Sequence, residues 1–348
     1  MVKKDSFFNN GYPYVIAEMS GNHNQSLERA LQIVDAMAET GVDAVKLQTY
    51  TADTMTIASD KSNFVINDSN SLWEGKKLYE LYKEAYTPWD WHPPIFDRCK
   101  ELGITCFSTP FDETSVEFLE ELNVPLYKIA SFENNHLPLI KKVAETRKPV
   151  IVSTGMATEE EINDIVKTAR ENGCEDLVLL KCTSTYPASP KNTNLNTIPH
   201  LRETFGVPVG LSDHTLGIGV AVASVSLGVR VIEKHVTLSR EEGGVDAAFS
   251  MEPHEMKQLV TEVKAAYESL GAVSYGVSCK QEEKSKKFRR SIYVIKDIKK
   301  GDKFSDQNIK IIRPGEGLYP KYYEGVINKS ASKDIEKGTP FSWDLLEQ

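Results

Sequence analysis

No apolar run in this 348-residue chain approaches the roughly 20 residues that a membrane-spanning helix needs. The opening stretch MVKKDSFFNNGYPYV has two lysines, but its apolar pieces are interrupted, so it makes a poor secretory signal. Cysteine is scarce. The five residues Cys99, Cys106, Cys174, Cys182 and Cys279 form neither a CxxC pair nor a disulfide-framework spacing, and Cys106 and Cys182 sit inside strand-like runs as core thiols. These absences lead to the expectation of a cytoplasmic protein. Positive charge is also short: the net charge is −9 and no Lys/Arg stripe offsets it, which argues against a nucleic-acid footprint. An anionic substrate remains open, because a few buried lysines can make one pocket locally positive. There is no low-complexity segment. No GxGxxG follows the first strand-like run, and GIGVAV (217–222) holds only part of that motif.

What is present is a rhythm. Short β-rich runs that end in polar residues alternate with segments of helical periodicity. The runs are YVIAEMS (14–20), DAVKLQTY (43–50), ITCFSTP (104–110), LYKIAS (126–131), PVIVSTG (149–155), LVLLKCTSTYP (177–187), VPVGLSDHT (207–215) and VRVIEKHVTL (229–238). Ser26 is placed to cap a helix over 26–40, and Thr158 with Glu161 has capping-box spacing for one over 158–172. Eight β-then-α units are the number that closes a (β/α)8, or TIM, barrel. A doubly wound open sheet is the alternative. After residue 270 the rhythm stops. The spacing predicts a barrel domain over 1–275, a charged linker over 276–287, and a small β-rich domain over 288–348, where SIYVIKDI and IKIIRP alternate with turn signals.

In such a barrel the carboxyl ends of the strands form the active face, and residues two apart share a side. Polar pairs do recur at that spacing: Glu18 with Ser20, Lys46 with Gln48, Ser212 with His214, and Glu233 with His235. Lys128 lies in the apolar run LYKIAS. Buried polar groups are costly unless satisfied, so their concentration at one end implies a shared polar site. His214 and His235 fall on adjacent strands roughly 4.8 Å apart, close enough to hold one metal ion. Two imidazoles without cysteine, with Asp213 and Glu233 nearby, suit a first-row divalent ion. Each histidine fits equally well as a hydrogen-bonded core residue. His254 carries less, because HEMKQ places Gln258 where HExxH needs a second histidine. Thr109, Ser131 and Ser153 end three successive strands, and Ser153-Thr154-Gly155 is expected to leave amides exposed. With nearby lysines these groups could hold a phosphate, although strand-end serines are commonly turn formers. Lys46 and Lys128 fit structural ion pairs too, and Asn22, His23 and Asn24 fit turn or cap roles.

IAEMSGNHNQSLERAL, VKLQTYTADTMT, STPFDETSVEFL, YKIASFE, VSTGMAT, TSTYPASP, GLSDHT, EKHVTL and RPGEGL together resemble the sialic acid synthase family, over almost the whole chain. Common members begin the first motif IAEIG and NHxG. Met19, Ser20 and Gln25 depart from that, and EMSGNHNQS with YKEAYTPW is most similar to the pseudaminic acid synthase branch. The resemblance implies a barrel followed by an antifreeze-like (SAF) domain. It also implies condensation of phosphoenolpyruvate with an acetamido sugar, 2,4-diacetamido-2,4,6-trideoxy-L-altrose, to a nine-carbon α-keto acid. N-acetylneuraminate or legionaminic acid synthesis is the alternative. By motif, His214 and His235 match metal ligands, for manganese or magnesium. Lys46, Thr109, Lys128, Ser131, Ser153 and Ser212 match the phosphoenolpyruvate pocket. Gln48, Tyr186 and Asp246 match the sugar side, with Ser184 where relatives often carry an amide. Glu18 matches the acid/base carboxylate, and Arg313 an arginine that caps the neighbouring subunit's site in a domain-swapped homodimer. Two rival classes remain: a Schiff-base aldolase using Lys128 or Lys46, and a non-catalytic carbohydrate-binding protein.

Overall fold

A computed structural model describes residues 7–8, 11–69 and 71–347. All eight strand-like runs become strands: β1 (Tyr14–Glu18), β2 (Ala44–Thr49), β3 (Thr105–Pro110), β4 (Tyr127–Ile129), β5 (Val150–Ser153), β6 (Leu177–Cys182), β7 (Val209–Ser212) and β8 (Val231–His235). They pair in parallel and in sequence order, and β8 returns to β1 to close the barrel. The doubly wound alternative is thereby excluded. Helices intervene as the capping residues specify. Ser26 Oγ accepts from Arg29 N at 3.2 Å to open Leu27–Thr40, and Thr158 with Glu161 forms a reciprocal capping box before Glu159–Glu171. The β2–β3 connection is the longest. It carries Ala52–Met55, Ser62–Phe64 and Leu78–Ala85 before its barrel helix, His92–Leu102.

Strand alternation builds two cores. Outward residues such as Val15, Val45, Ile129 and Val152 pack with the helices. Inward residues Tyr14, Ile16, Ala44, Phe107, Ile151, Val178, Leu180 and Val231, with Leu126 and Phe8, form a separate apolar plug inside the barrel. One inward position is glycine for want of room: a Cβ on Gly210 would lie 2.3 Å from the Val231 carbonyl oxygen and 2.6 Å from Leu180 Cδ2.

Residues Met1–Gly271 and Ala272–Gln348 form two compact units. The second contains β9 (Ser291–Val294) paired antiparallel with β10 (Ile309–Ile312), with a core of Ile292, Val294, Phe304, Val326 and Phe341. The charged segment before it is not wholly irregular, since Lys280–Ser285 is a short, fully exposed helix. Among the described residues no helix is long and apolar enough to cross a membrane.

Two buried histidines fasten segments together, His23 joining two loops and His92 joining the β2–β3 connection to β2. His23 Nε2 lies 3.2 Å from Thr87 Oγ1, and His92 Nε2 lies 2.8 Å from Thr49 Oγ1. Burial lowers the pKa of each to about 4 from an ordinary 6.5. A depressed histidine pKa means that the unfolded chain takes up the proton first, so stability is full above pH 6.5 and falls as pH drops towards 4. The expected loss is about 1–3 kcal/mol per histidine across that window. Denaturant midpoints should show it, and His92→Gln should shrink the acid slope. Gly210→Ala, judged by thermal unfolding, should cost about 1–3 kcal/mol through overpacking against a backbone oxygen that cannot move aside.

Candidate active site

One layer above the apolar plug, the inward positions turn polar: Glu18, Lys46, Lys128, Ser153, Cys182, Ser212, Glu233 and His235. The register sets Glu18 beside both Lys46 and His235, and Ser212 beside Glu233. Lys46 pairs with the Glu18 carboxylate, lies 3.6 Å from Glu233 Oε2, and donates to Thr109 Oγ1 at 3.0 Å. Lys128 Nζ lies 3.5 Å from Glu233 Oε1, which also accepts from Ser212 Oγ at 3.1 Å. Gln48 Nε2 donates to Glu18 Oε1 at 3.0 Å. The four charged side chains are no more than 5% exposed, so each ion needs the others. Burial raises the Glu18 pKa against the pull of Lys46. It lowers that of Lys128 against Glu233, whereas at Glu233 burial is outweighed by Lys128 and Lys46, and the carboxyl stays low.

Beside this cluster the two histidine rings stand 5.3 Å apart, centroid to centroid. His214 lies two residues past the end of β7. Its Nδ1 donates to the Thr183 carbonyl at 3.0 Å, which leaves the Nε2 lone pair available. Burial opposes its charge, but Cys182 and that carbonyl raise its pKa. His235 is pushed towards its neutral form, its pKa well below the usual value through burial and then through the neighbouring His214. Its buried Nδ1 has no hydrogen-bond partner and lies 3.7 Å from Asp246 Oδ2. Tyr186 packs on His214 at 4.5 Å, and Phe249 on His235 at 5.0 Å. The described residues contain no cluster of three His, Cys, Asp or Glu groups able to hold a metal. The pair nevertheless fits an ion with two protein ligands and positions left for water or substrate, because one ring has its tautomer fixed and the other is neutral with an orphaned nitrogen. Asp213 is not part of this arrangement. Its carboxylate accepts from Lys234 Nζ at 2.8 Å and Thr215 N at 3.0 Å, and Lys234 also donates to the Thr215 and Gly217 carbonyls, bracing the loop after β7.

The serines gather on the other side. The expectation of free amides after Ser153 does not hold: Thr154 N donates to the Leu180 carbonyl at 2.9 Å, and Gly155 N to Ser131 Oγ at 3.1 Å. Hydroxyls remain instead. Ser153 Oγ is buried and unpartnered. A Cβ on Gly155 would come within 2.2 Å of Ser184 Oγ and 2.6 Å of Ser131 Oγ, so glycine keeps this corner open, and Ser184 stands with the serines. Two residues that the sequence reading did not select line the same cavity. Glu133, in the loop after β4, has a buried Oε2 without a partner, and burial, opposed by Lys128, pushes its pKa up to about 7. It lies two residues beyond Ser131 in SFENN, the same two-residue spacing used elsewhere. Cys182 is buried, as expected of a core thiol, but its Sγ faces His214 Nδ1 at 3.9 Å.

These groups line one cavity of about 760 Å³. Glu18, Lys46, Gln48, Lys128, Ser131, Ser153, Ser184, Tyr186, Ser212, His214, His235 and Asp246 all contribute, with Ile66, Leu72 and Trp73 from the long β2–β3 connection. Thr109 sits behind Lys46 and is buried. Arg313 is exposed on the second unit. The polar residues after β1 divide their tasks. Asn22 Nδ2 donates to the Val236 carbonyl and Ser250 Oγ, and Gln25 Nε2 to the Glu84 and Tyr86 carbonyls, so both hold loops. Ser20 alone among residues 20–25 reaches the cavity, where its Oγ donates to Asp246 Oδ2.

Comparison with known proteins adds independent support. Residues 33–275 match the NeuB family and residues 289–347 the SAF domain. The chain is 46% identical over 335 residues to a pseudaminic acid synthase of Campylobacter jejuni, covering 96% of this chain and 95% of the relative. It is 43% identical to one of Helicobacter pylori, covering 97% and 98%. Among solved structures, a spore coat polysaccharide biosynthesis protein, SpsE, of Bacillus subtilis matches at a TM-score of 0.64 and 32% identity, covering 97% of this chain and 96% of that one. The chain belongs to the NeuB family, the sialic acid synthase family that its motifs resemble, and carries that family's barrel followed by a SAF domain.

Proposed function

We propose that the chain condenses phosphoenolpyruvate with 2,4-diacetamido-2,4,6-trideoxy-L-altrose, giving a nine-carbon α-keto acid and inorganic phosphate, the pseudaminic acid synthase reaction. The observation that carries the chemistry is the buried Glu18–Lys46–Glu233–Lys128 cluster beside a histidine pair in one cavity. Lys46 and Lys128 attract the phosphate and carboxylate of phosphoenolpyruvate, and Ser131, Ser153 and Ser212 supply hydroxyls. Ser153 has an unused buried oxygen for that purpose. Ser184 joins this group through its nearness to Gly155. Thr109 acts from behind by orienting Lys46. Gln48, Tyr186 and Asp246 face the sugar. In an assembled homodimer, Arg313 of a second copy would cap the site.

His214 and His235 would hold a divalent ion, manganese or magnesium, which when bound polarises the open-chain aldehyde as a Lewis acid. The methylene carbon of phosphoenolpyruvate bonds to the aldehyde carbon as the C=O π pair moves onto the aldehyde oxygen, which takes up a proton to become a hydroxyl, and the carbon bearing the phosphate becomes electron-poor. The buried Glu18–Glu233 carboxylates face that developing charge. Water adds there and loses its proton to a carboxylate, Glu18 or Glu133. The tetrahedral carbon then expels phosphate with cleavage of the carbon–oxygen bond, the hydroxyl proton passing to the departing phosphate, which leaves the keto group. A Schiff-base route through Lys46 fits less well, because its ammonium is held protonated between two carboxylates; borohydride inactivation in the presence of substrate would reveal one through Lys128.

A phosphate-release assay with phosphoenolpyruvate and a panel of acetamido sugars tests the reading. We expect the diacetamido sugar to be preferred over N-acetylmannosamine. Chelation should abolish turnover and manganese or magnesium restore it, and His214→Ala and His235→Ala should each lower kcat by about a thousandfold or more. Full turnover after exhaustive chelation would refute the metal-assisted step. If Glu133 takes the proton from water, kcat/KM should rise with pH through about 7, and Glu133→Gln should cost about 10²–10⁴ in kcat and remove that limb. Retention of rate and limb in that variant would assign the proton to Glu18.

A further inference from the structure

Ser20 has a backbone conformation that does not suit a serine. At φ 49° it is left-handed, a region uncommon for residues other than glycine, and an outlier at a site is a reason to ask what it serves. Its side chain supplies the answer. Ser20 is 4% exposed, lines the cavity at the end of β1, and gives its one proton to Asp246 Oδ2, a partner 226 positions away in the chain. The backbone of Asp246 is anchored separately: its N–H donates to Asn22 Oδ1 at 3.2 Å, and its carbonyl accepts from Ser250 Oγ at 2.7 Å. Main chain and carboxylate are thus held by different groups: Ser20 donates the hydrogen bond that restrains rotation of the carboxylate about its last bond, and His235 Nδ1 stands 3.7 Å from the same oxygen.

We propose that Ser20 is a positioning and specificity-determining residue for the sugar. By engaging Oδ2 it orients the Asp246 carboxylate so that one oxygen, Oδ1, is presented to a single donor of the substrate, a hydroxyl or an acetamido N–H. A freely turning carboxylate offers two acceptors and selects less sharply, whereas a fixed one leaves a misplaced donor unpaired. This inference rests on the synthase reading above and adds the element that aims one of its sugar contacts.

Ser20→Gly separates the hydroxyl from the fold, because glycine adopts φ 49° without strain. We expect its thermal midpoint to be equal to or above that of the parent. In phosphate-release kinetics, KM for the diacetamido sugar should rise about tenfold while KM for phosphoenolpyruvate stays within about twofold, and the preference over N-acetylmannosamine should narrow. An unchanged sugar KM, or a parallel rise in both KM values with a lower midpoint, would overturn the assignment, the latter by making Ser20 merely structural. If the parent enzyme itself releases no phosphate with any sugar, the synthase reading fails instead, and the two failures are told apart in one experiment.

Discussion

The site depends on four charges that cannot leave one another. Glu18, Lys46, Glu233 and Lys128 project into the barrel above an apolar plug, and none has more than slight contact with solvent. Any one of them alone would be costly there; together their formal charges balance. That balance also prepares it for an anion. In the proposed reaction phosphoenolpyruvate would bring a phosphate and a carboxylate to two ammonium groups already positioned by carboxylates, so little reorganisation would be needed on arrival. On the proposed mechanism the same carboxylates would face the positive charge that grows as the carbon–carbon bond forms.

Most of the fold was legible because its cause is local. Alternation in YVIAE, AVKLQT and VIEKH sends one set of residues to the helices and the other into the barrel, and eight repeats of strand then helix leave few ways to close. The same parity predicted that Glu18, Lys46, Glu233 and His235 would share one interior, as they do. What the sequence could not reveal lies past the strand ends, where parity stops. Asp213 has the composition of a metal ligand but turns to Lys234. The amides of Thr154 and Gly155, expected to be open, are taken by a ladder carbonyl and by Ser131. Glu133 was missed because a glutamate in a polar loop looks like any solvated charge until the loop folds over it.

The loop after β1 has a related logic. Glu18 belongs to the strand and is set by register, but Ser20 to Gln25 are set by partners distant in sequence, at Ser250, Val236, Thr87 and Tyr86. A knot of amide, imidazole and hydroxyl groups directly after a core strand therefore serves two ends. Most of it fastens the first strand end to the segments on either side, and one residue continues the polar layer into the cavity.

The outward Lys234 stands between the inward Glu233 and His235, and this has a consequence for how such a chain can change over generations. Deleting or inserting one residue in β8 would rotate the brace into the chamber and the ligand-type imidazole into the helix layer at a stroke. Variation by substitution is open to these strands, whereas variation in length is confined to the loops above them. The long β2–β3 connection is such a loop, and it lines part of the cavity with Ile66, Leu72 and Trp73. New substrate preferences in this lineage should therefore be sought in insertions there, with the strand lengths unchanged.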